Sequence, residues 1–140
     1  MERVSTEAVT EIRHGVMRMS RRMRTARSPE ALSLNKLTVL GHLYRNGPGT
    51  AGEVAGAEGQ RPQSLTRVFA ELEAEGLISR ARADRDRRQV VLALTERGAE
   101  ALRRDVAERE AWLAGALAGL SEAELDLLRV AARLMERLAE

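Results

Sequence analysis

The chain has 140 residues, 44% of them hydrophobic but only 2% aromatic, with a formal net charge of +2. That length predicts one domain or one protomer of a dimer, cored almost wholly by aliphatic side chains. Cysteine is absent, which excludes disulfides, thiolate catalysis, cysteine redox sensing and thiolate zinc sites. No apolar run approaches the roughly 20 residues of a membrane span. Met1-Glu2-Arg3 leads directly into a charged amphipathic pattern with no signal segment, so a soluble, cytoplasmic protein without a membrane partner is expected.

Arginine supplies 22 of the 23 basic residues, and Lys36 is the sole lysine. The planar guanidinium fork suits phosphate and guanine recognition, although GC-rich coding produces the same bias. The first helical pattern covers residues 5–27, with Val9, Ile12, Val16, Met19 and Met23 at helical spacing. Arg13, Arg18, Arg21, Arg22, Arg24 and Arg27 take its other faces, either as a solvated surface or as supplementary phosphate contacts. Ser28-Pro29 ends the helix, because the residue before proline avoids the α conformation.

A second helix is predicted over 34–46, with Leu34, Leu37, Leu40, Leu43 and Tyr44 on one side, stopped by Asn46-Gly47-Pro48-Gly49. Thr50-Ala51-Gly52-Glu53 reads as a capping box, starting a short helix through Val54 and Ala55. The stretch from Gly47 to Glu53 also has the first glycine spacing of a phosphate loop. Glu53 stands where that loop needs lysine and would repel phosphate, so a loop and helix cap is the better reading. Ala57-Glu58-Gly59 supplies a tight turn.

The next helix opens at Arg61, with Pro62 at a first helical position where its missing N–H is not needed. Leu65, Val68, Phe69 and Leu72 form its apolar face; Gln63, Ser64, Thr66 and Arg67 form a polar one near its N-terminus. Gly76 is placed as a C′ glycine. Two β-prone runs, Leu77–Arg82 and Gln89–Leu94, bracket a charged tip and predict a hairpin. From Arg80 to Arg88 five arginines stand against two aspartates. A short helix, a turn and a second helix with a polar N-terminal face make a helix-turn-helix; the basic hairpin completes the outline of a winged one.

Thr95 is placed to cap a long helix carrying Ala99, Leu102, Val106, Leu113 and Leu117, with Trp112 beside them. Gly119-Leu120 interrupts it. Ser121-Glu122-Ala123-Glu124 is a second capping box, and Leu125, Leu128, Ala131, Leu134, Met135 and Leu138 follow close to a heptad seam. The terminal helices are more apolar than a monomer of this size covers. Pairing with a second copy would bury them; the alternative is an intramolecular three-helix bundle. The expected fold is therefore mainly α with a small β-hairpin wing. Residues 1–30 and 97–140 would form a helical dimerisation region, and 31–96 the winged helix-turn-helix.

This order of elements resembles the MarR family of winged-helix regulators over most of the chain. The resemblance rests on Thr50-Ala51-Gly52-Glu53-Val54-Ala55, Arg61-Pro62-Gln63-Ser64-Leu65-Thr66-Arg67 and Leu72-Glu73-Ala74-Glu75-Gly76-Leu77-Ile78. Asp84-Arg85-Asp86-Arg87-Arg88 leading to Leu94-Thr95-Glu96-Arg97-Gly98 adds the most specific spacing. It implies a dimeric, sequence-specific transcriptional regulator, a repressor, on an inverted-repeat operator in double-stranded DNA. Recognition helices would enter successive major grooves, and a wing arginine the flanking minor groove. Arg61, Gln63, Ser64, Thr66 and Arg67 match the recognition positions. Arg87 matches the wing-tip arginine, Asp86 the aspartate that holds a wing arginine by an ion pair, and Arg85 and Arg88 become phosphate candidates.

No nucleophile–base or metal constellation is present, so neither an enzyme nor a cofactor is expected. The competing reading is a winged-helix protein-interaction module, which should carry apolar or acidic residues in place of Gln63, Ser64, Thr66 and Arg67. Few aromatics and no cysteine leave the inducer open. His14, Met17, His42, Leu43, Tyr44 and Trp112 are expected near the junction of the terminal helices with the DNA-binding lobe, where a small, largely apolar effector would fit. The histidines otherwise read as structural or surface residues, or as parts of a metal or pH-sensitive site; Tyr44 and Trp112, like Phe69, read as packing residues. Regulation without any effector is the other possibility.

Overall fold

Hydroxyl caps set most of the helix starts. In the computed structural model, which describes residues 4–86 and 88–140, Ser5, Ser33, Thr50 and Ser121 each accept a backbone N–H three residues on. Both expected capping boxes are complete, Thr50 with Glu53 and Ser121 with Glu124. The elements run α1 (Thr6–Thr25), α2 (Leu34–Asn46), β1 (Gly49–Thr50), α3 (Ala51–Ala57), α4 (Pro62–Ala74), β2 (Ile78–Arg82), β3 (Val90–Leu94), α5 (Glu96–Leu117) and α6 (Glu122–Leu138). They divide into two units, Ser28–Ala107 and Met1–Arg27 with Glu108–Glu140.

The first unit closes around a core of Val39, Leu40, Leu43, Val54, Ala55, Leu65, Phe69, Leu72, Leu77, Ile78 and Leu92. Phe69 is the one aromatic among them, as the composition required. Leu34 and Tyr44, expected on the apolar side of α2, are instead 57% and 64% exposed. Both stand on end turns of the helix, and burial concentrates in its middle, where Val39, Gly41 and His42 join Leu37, Leu40 and Leu43.

The hairpin is part of a three-stranded antiparallel sheet in the order β1-β3-β2. The two-residue β1 pairs Gly49 with Leu92 and Thr50 with Val91. It covers a stretch of the edge of β3 whose amide groups would otherwise lack ladder partners. A strand that short has no periodicity to read.

Two glycines join this sheet to its helices. Gly76, φ +74, follows the last turn of α4 as C′, a left-handed conformation that costs glycine little. Gly98 lies in the first turn of α5 so close to Leu77, the residue before β2, that an added Cβ would stand 2.0 Å from the Leu77 carbonyl oxygen. Thr95 ties the same place together: its hydroxyl donates to the Gly76 carbonyl at 2.6 Å and accepts the Gly98 N–H at 3.0 Å.

The second unit contains α1, the end of α5 and α6. Neither α1 nor α6 has a buried residue. An apolar groove of about 910 Å³ runs among Ile12, Val16 and Met23 of α1, Leu117 of α5, and Leu128 and Met135 of α6. Among the described residues no helix is long and apolar enough to cross a membrane.

Candidate nucleic-acid interface

The helix α4 is built so that one side is fixed and the other offered. Arg61 is extended at the N-cap and Pro62 occupies the first turn, with no side-chain cap. Leu65, Phe69 and Leu72 are buried and seat the helix on the core, with Val68 half-buried beside them. Arg61, Gln63, Ser64, Thr66 and Arg67 are exposed on the side away from that seat. The structure thus brings all five expected recognition residues onto one solvent-facing surface.

Two of the five are already engaged. The Thr66 hydroxyl donates to the Pro62 carbonyl at 3.2 Å, which leaves its oxygen lone pairs able to accept. Arg67 donates from Nε to Glu71 Oε1 at 2.8 Å. Glu71 and Glu73 in the second half of α4, and Glu75 at its C-cap, are each paired with a cation from another element. Lys36 of α2 reaches both Glu71 and Glu75, and Arg80 of β2 donates to Glu73 at 3.0 Å. The Glu71 carboxyl is held below its usual range, first by the Arg67 hydrogen bond and then by the neighbouring positive charges. The Lys36 ammonium is raised, chiefly by its hydrogen bond to Glu75. Of this network only Arg67 with Glu71 was readable in sequence, as an i, i+4 pair; Lys36 and Arg80 come from distant elements.

The wing is a regular ladder from Ile78↔Leu94 to Arg82↔Val90. Its tip closes through Ala83 N–H to the Gln89 carbonyl and Gln89 N–H to the Asp86 carbonyl, both at 3.0 Å. The Asp86 carboxylate accepts the Arg88 backbone N–H at 3.0 Å, an aspartate turn that shapes the tip. Arg85, Asp86 and Arg88 are exposed. Arg87, the expected minor-groove arginine, lies outside the described residues together with Met1, Glu2 and Arg3.

The candidate effector residues divide between the units: His14, Met17 and Trp112 in one, His42, Leu43 and Tyr44 in the other. His14 and Met17 are exposed and Trp112 half-buried; none of the three lines the apolar groove. His42 is buried. Its Nδ1 is 3.4 Å from Asn46 Nδ2 and 3.7 Å from Glu58 Oε1, so it joins α2 to the end of α3. Among the described residues no group of three or more histidine or carboxylate side chains is placed to hold a metal. Glu53, in the phosphate-loop-like stretch, accepts the Thr50 N–H at 3.1 Å and is spent on the cap.

The sequence model described as the MarR family matches residues 32–89. An uncharacterised HTH-type transcriptional regulator of Mycobacterium bovis is 41% identical over 125 residues, covering 89% of this chain and 87% of that protein. A Pseudomonas aeruginosa protein, solved as a transcriptional regulator, superposes with a TM-score of 0.82 at 35% identity, over 96% of this chain and 94% of that one. A Staphylococcus aureus MepR variant, solved bound to an oligodeoxyribonucleotide, shares the fold with a TM-score of 0.67 at 18% identity, over 99% of this chain and 100% of its own.

Proposed function

This chain belongs to the MarR family of winged helix-turn-helix transcriptional regulators, and from that premise we propose that two copies read one inverted-repeat operator as a repressor. It is a DNA-binding regulator rather than an enzyme. The observation that carries the proposal is the exposed, hydrogen-bonding face of α4 on its aliphatic seat. A winged helix adapted to dock protein would place apolar or acidic groups there. The acidic groups of α4 stand instead in its second half, paired with Lys36 and Arg80.

Each side chain has a physical role. Arginine contacts to phosphate release counterions and give salt-sensitive affinity. Base-edge contacts in the major groove give specificity, with arginine to guanine and glutamine to adenine the favoured geometries. Arg67 and Gln63 are the proposed base readers, and Arg85 and Arg88 the phosphate contacts. Arg87 is proposed, from its sequence position, for the narrow minor groove, whose negative potential attracts an inserted arginine. The DNA-bound MepR variant supports this arrangement by fold. Dimer formation is supported by α1 and α6, neither of which has a fully buried residue within one chain.

The site of action that follows is the cytoplasm. The test is to select bound fragments from the source genome and compare full repeats with single half-sites. Half-site centres about one helical turn apart are expected, with affinity falling steeply as salt rises. Equal affinity for a half-site and a full repeat would remove the dimeric reading. The proposal extends to a small, largely apolar effector that shifts the dimer between conformations of different DNA affinity. Small apolar acids, phenols and divalent metals that change neither operator affinity nor the fluorescence of Trp112 would remove that extension.

A further inference from the structure

Arg67 is the most exposed member of an ion-pair chain, its side chain 90% accessible, yet its guanidinium is not left to wander. Nε is bound to Glu71 Oε1 at 2.8 Å. The other carboxylate oxygen, Oε2, lies 3.5 Å from Lys36 Nζ. Lys36 is itself held by Glu75 and is only 16% accessible. The chain of contacts thus runs from a half-buried anchor on α2, through Glu71, to the surface of α4. Exposed ion pairs contribute little to folding stability, and a carboxylate beside a DNA-reading arginine repels phosphate. Glu71 is therefore in a poor place for a group whose only task is stability or raw affinity.

Its geometry suits another task. A guanidinium has five N–H donors in a rigid plane, and engaging Nε fixes that plane while leaving both terminal NH₂ groups available. Those two groups form the fork that meets the O6 and N7 of a guanine edge. An arginine free to rotate can follow phosphates anywhere, and it must lose more rotamer freedom to make a bidentate base contact.

We propose that Glu71, steadied from α2 by Lys36, is a positioning residue that aims Arg67 and so sets base preference at that contact without touching DNA. The inference rests on the base-reading role assigned to Arg67 above. Glu71 lowers affinity for all DNA and raises discrimination among sequences. Its carboxyl is charged at neutral pH, since the Arg67 hydrogen bond and the Lys36 charge hold it below its ordinary value.

The test measures affinity for the selected operator, for operators substituted at each base pair, and for unrelated DNA, using the full-length protein and the variants R67A, E71A, E71Q and K36M. In E71A, discrimination at the position lost in R67A should fall roughly 3–10-fold, the scale of freeing one long side chain. Affinity for unrelated DNA should rise, because a negative charge has gone. K36M should also lose discrimination at that position while its affinity for unrelated DNA falls slightly, since a positive charge has gone. E71Q keeps an acceptor for Nε and should retain part of the preference. In an R67A background, E71A should change no base preference. Equal changes for all sequences in E71A and K36M would show only a charge effect and overturn the inference. So would a loss of discrimination by E71A that persists without Arg67, or a normal preference in both E71A and K36M. If R67A itself leaves every base preference intact, it is the base-reading assignment that fails, and the role of Glu71 falls with it.

Discussion

The two units of this chain solve the burial problem in opposite ways. In residues 28–107 the aliphatic side chains meet one another, and Val39, Leu40, Val54, Leu65 and Leu72 are wholly buried. In the terminal unit α6 has an equally strong apolar pattern, yet Leu127, Leu128, Val130 and Leu134 remain between 44% and 69% exposed. A helix with no fully buried side chain gains less from its apolar face, since most helical stability in proteins comes from packing an amphipathic face. The difference shows that amphipathicity records a need for burial and does not say which surface will meet it. The unit of residues 28–107 completes itself, whereas the terminal unit is proposed to be completed by a second copy.

The largest expected effects break the self-contained unit. Leu65→Ala should cost about 2–5 kcal/mol, the usual range for truncating a buried leucine. Gly98→Ala drives a methyl group into the Leu77 backbone, which cannot yield without displacing the start of α5. Urea unfolding should show both losses with midpoints independent of protein concentration; an unchanged Gly98→Ala midpoint would contradict the close approach. Next in size, Leu128→Asp puts a charge in the apolar groove. It should abolish the dimer in sedimentation while residues 28–107 stay folded, and the comparison between units breaks if dimers persist.

DNA binding separates finer differences within the completed unit. Gln63→Ala should lose roughly 1–3 kcal/mol and relax preference at particular positions. Arg85→Ala should weaken all sequences alike and reduce the salt slope, and Arg87→Ala should blunt any preference for A·T flanks. Equal, sequence-independent losses in all three would defeat the assignment of base contacts.

The two capping boxes permit a matched comparison. Thr50→Ala and Ser121→Ala each remove one side-chain cap, worth about 1 kcal/mol. The Thr50 loss should be independent of protein concentration, whereas the Ser121 loss should be felt with dimer dissociation; identical concentration dependence would erase the contrast.

Smallest is the response to pH. The Ser121 backbone N–H, followed by its hydroxyl, holds the Glu124 carboxyl below its ordinary 4.5. A carboxyl depressed by folding adds stability above its ordinary value and loses it as pH falls through the lower folded one. Lys36 runs the other way. Raised above 10.5 chiefly by Glu75, it contributes fully below that value and loses the contribution as pH rises through the folded one. Glu124→Gln should flatten the acid limb of unfolding and leave the alkaline limb alone, and Lys36→Met the reverse; a shifted alkaline limb in Glu124→Gln would contradict the pairing.

Much of this architecture was determined by short-range signals. Thr50, Ser121 and Thr95 cap through atoms three residues away, Pro62 presets its own φ, and Gly76 tolerates a left-handed turn by lacking a side chain. The bounds of α2 and the polar face of α4 follow from contacts spanning a helical turn or two, so they were legible in the sequence. Only the tertiary structure decided the rest. The pairing of β1 with β3, the approach of Gly98 to Leu77 and the reach of Lys36 to Glu71 join residues separated by at least 20 positions. Leu34 and Tyr44, on the end turns of α2, are exposed although the helical period put them with the buried leucines. Periodicity reports which face of a helix is apolar, but the partner for that face is set by the path of the whole chain, and for α1 and α6 that path leaves no residue fully buried.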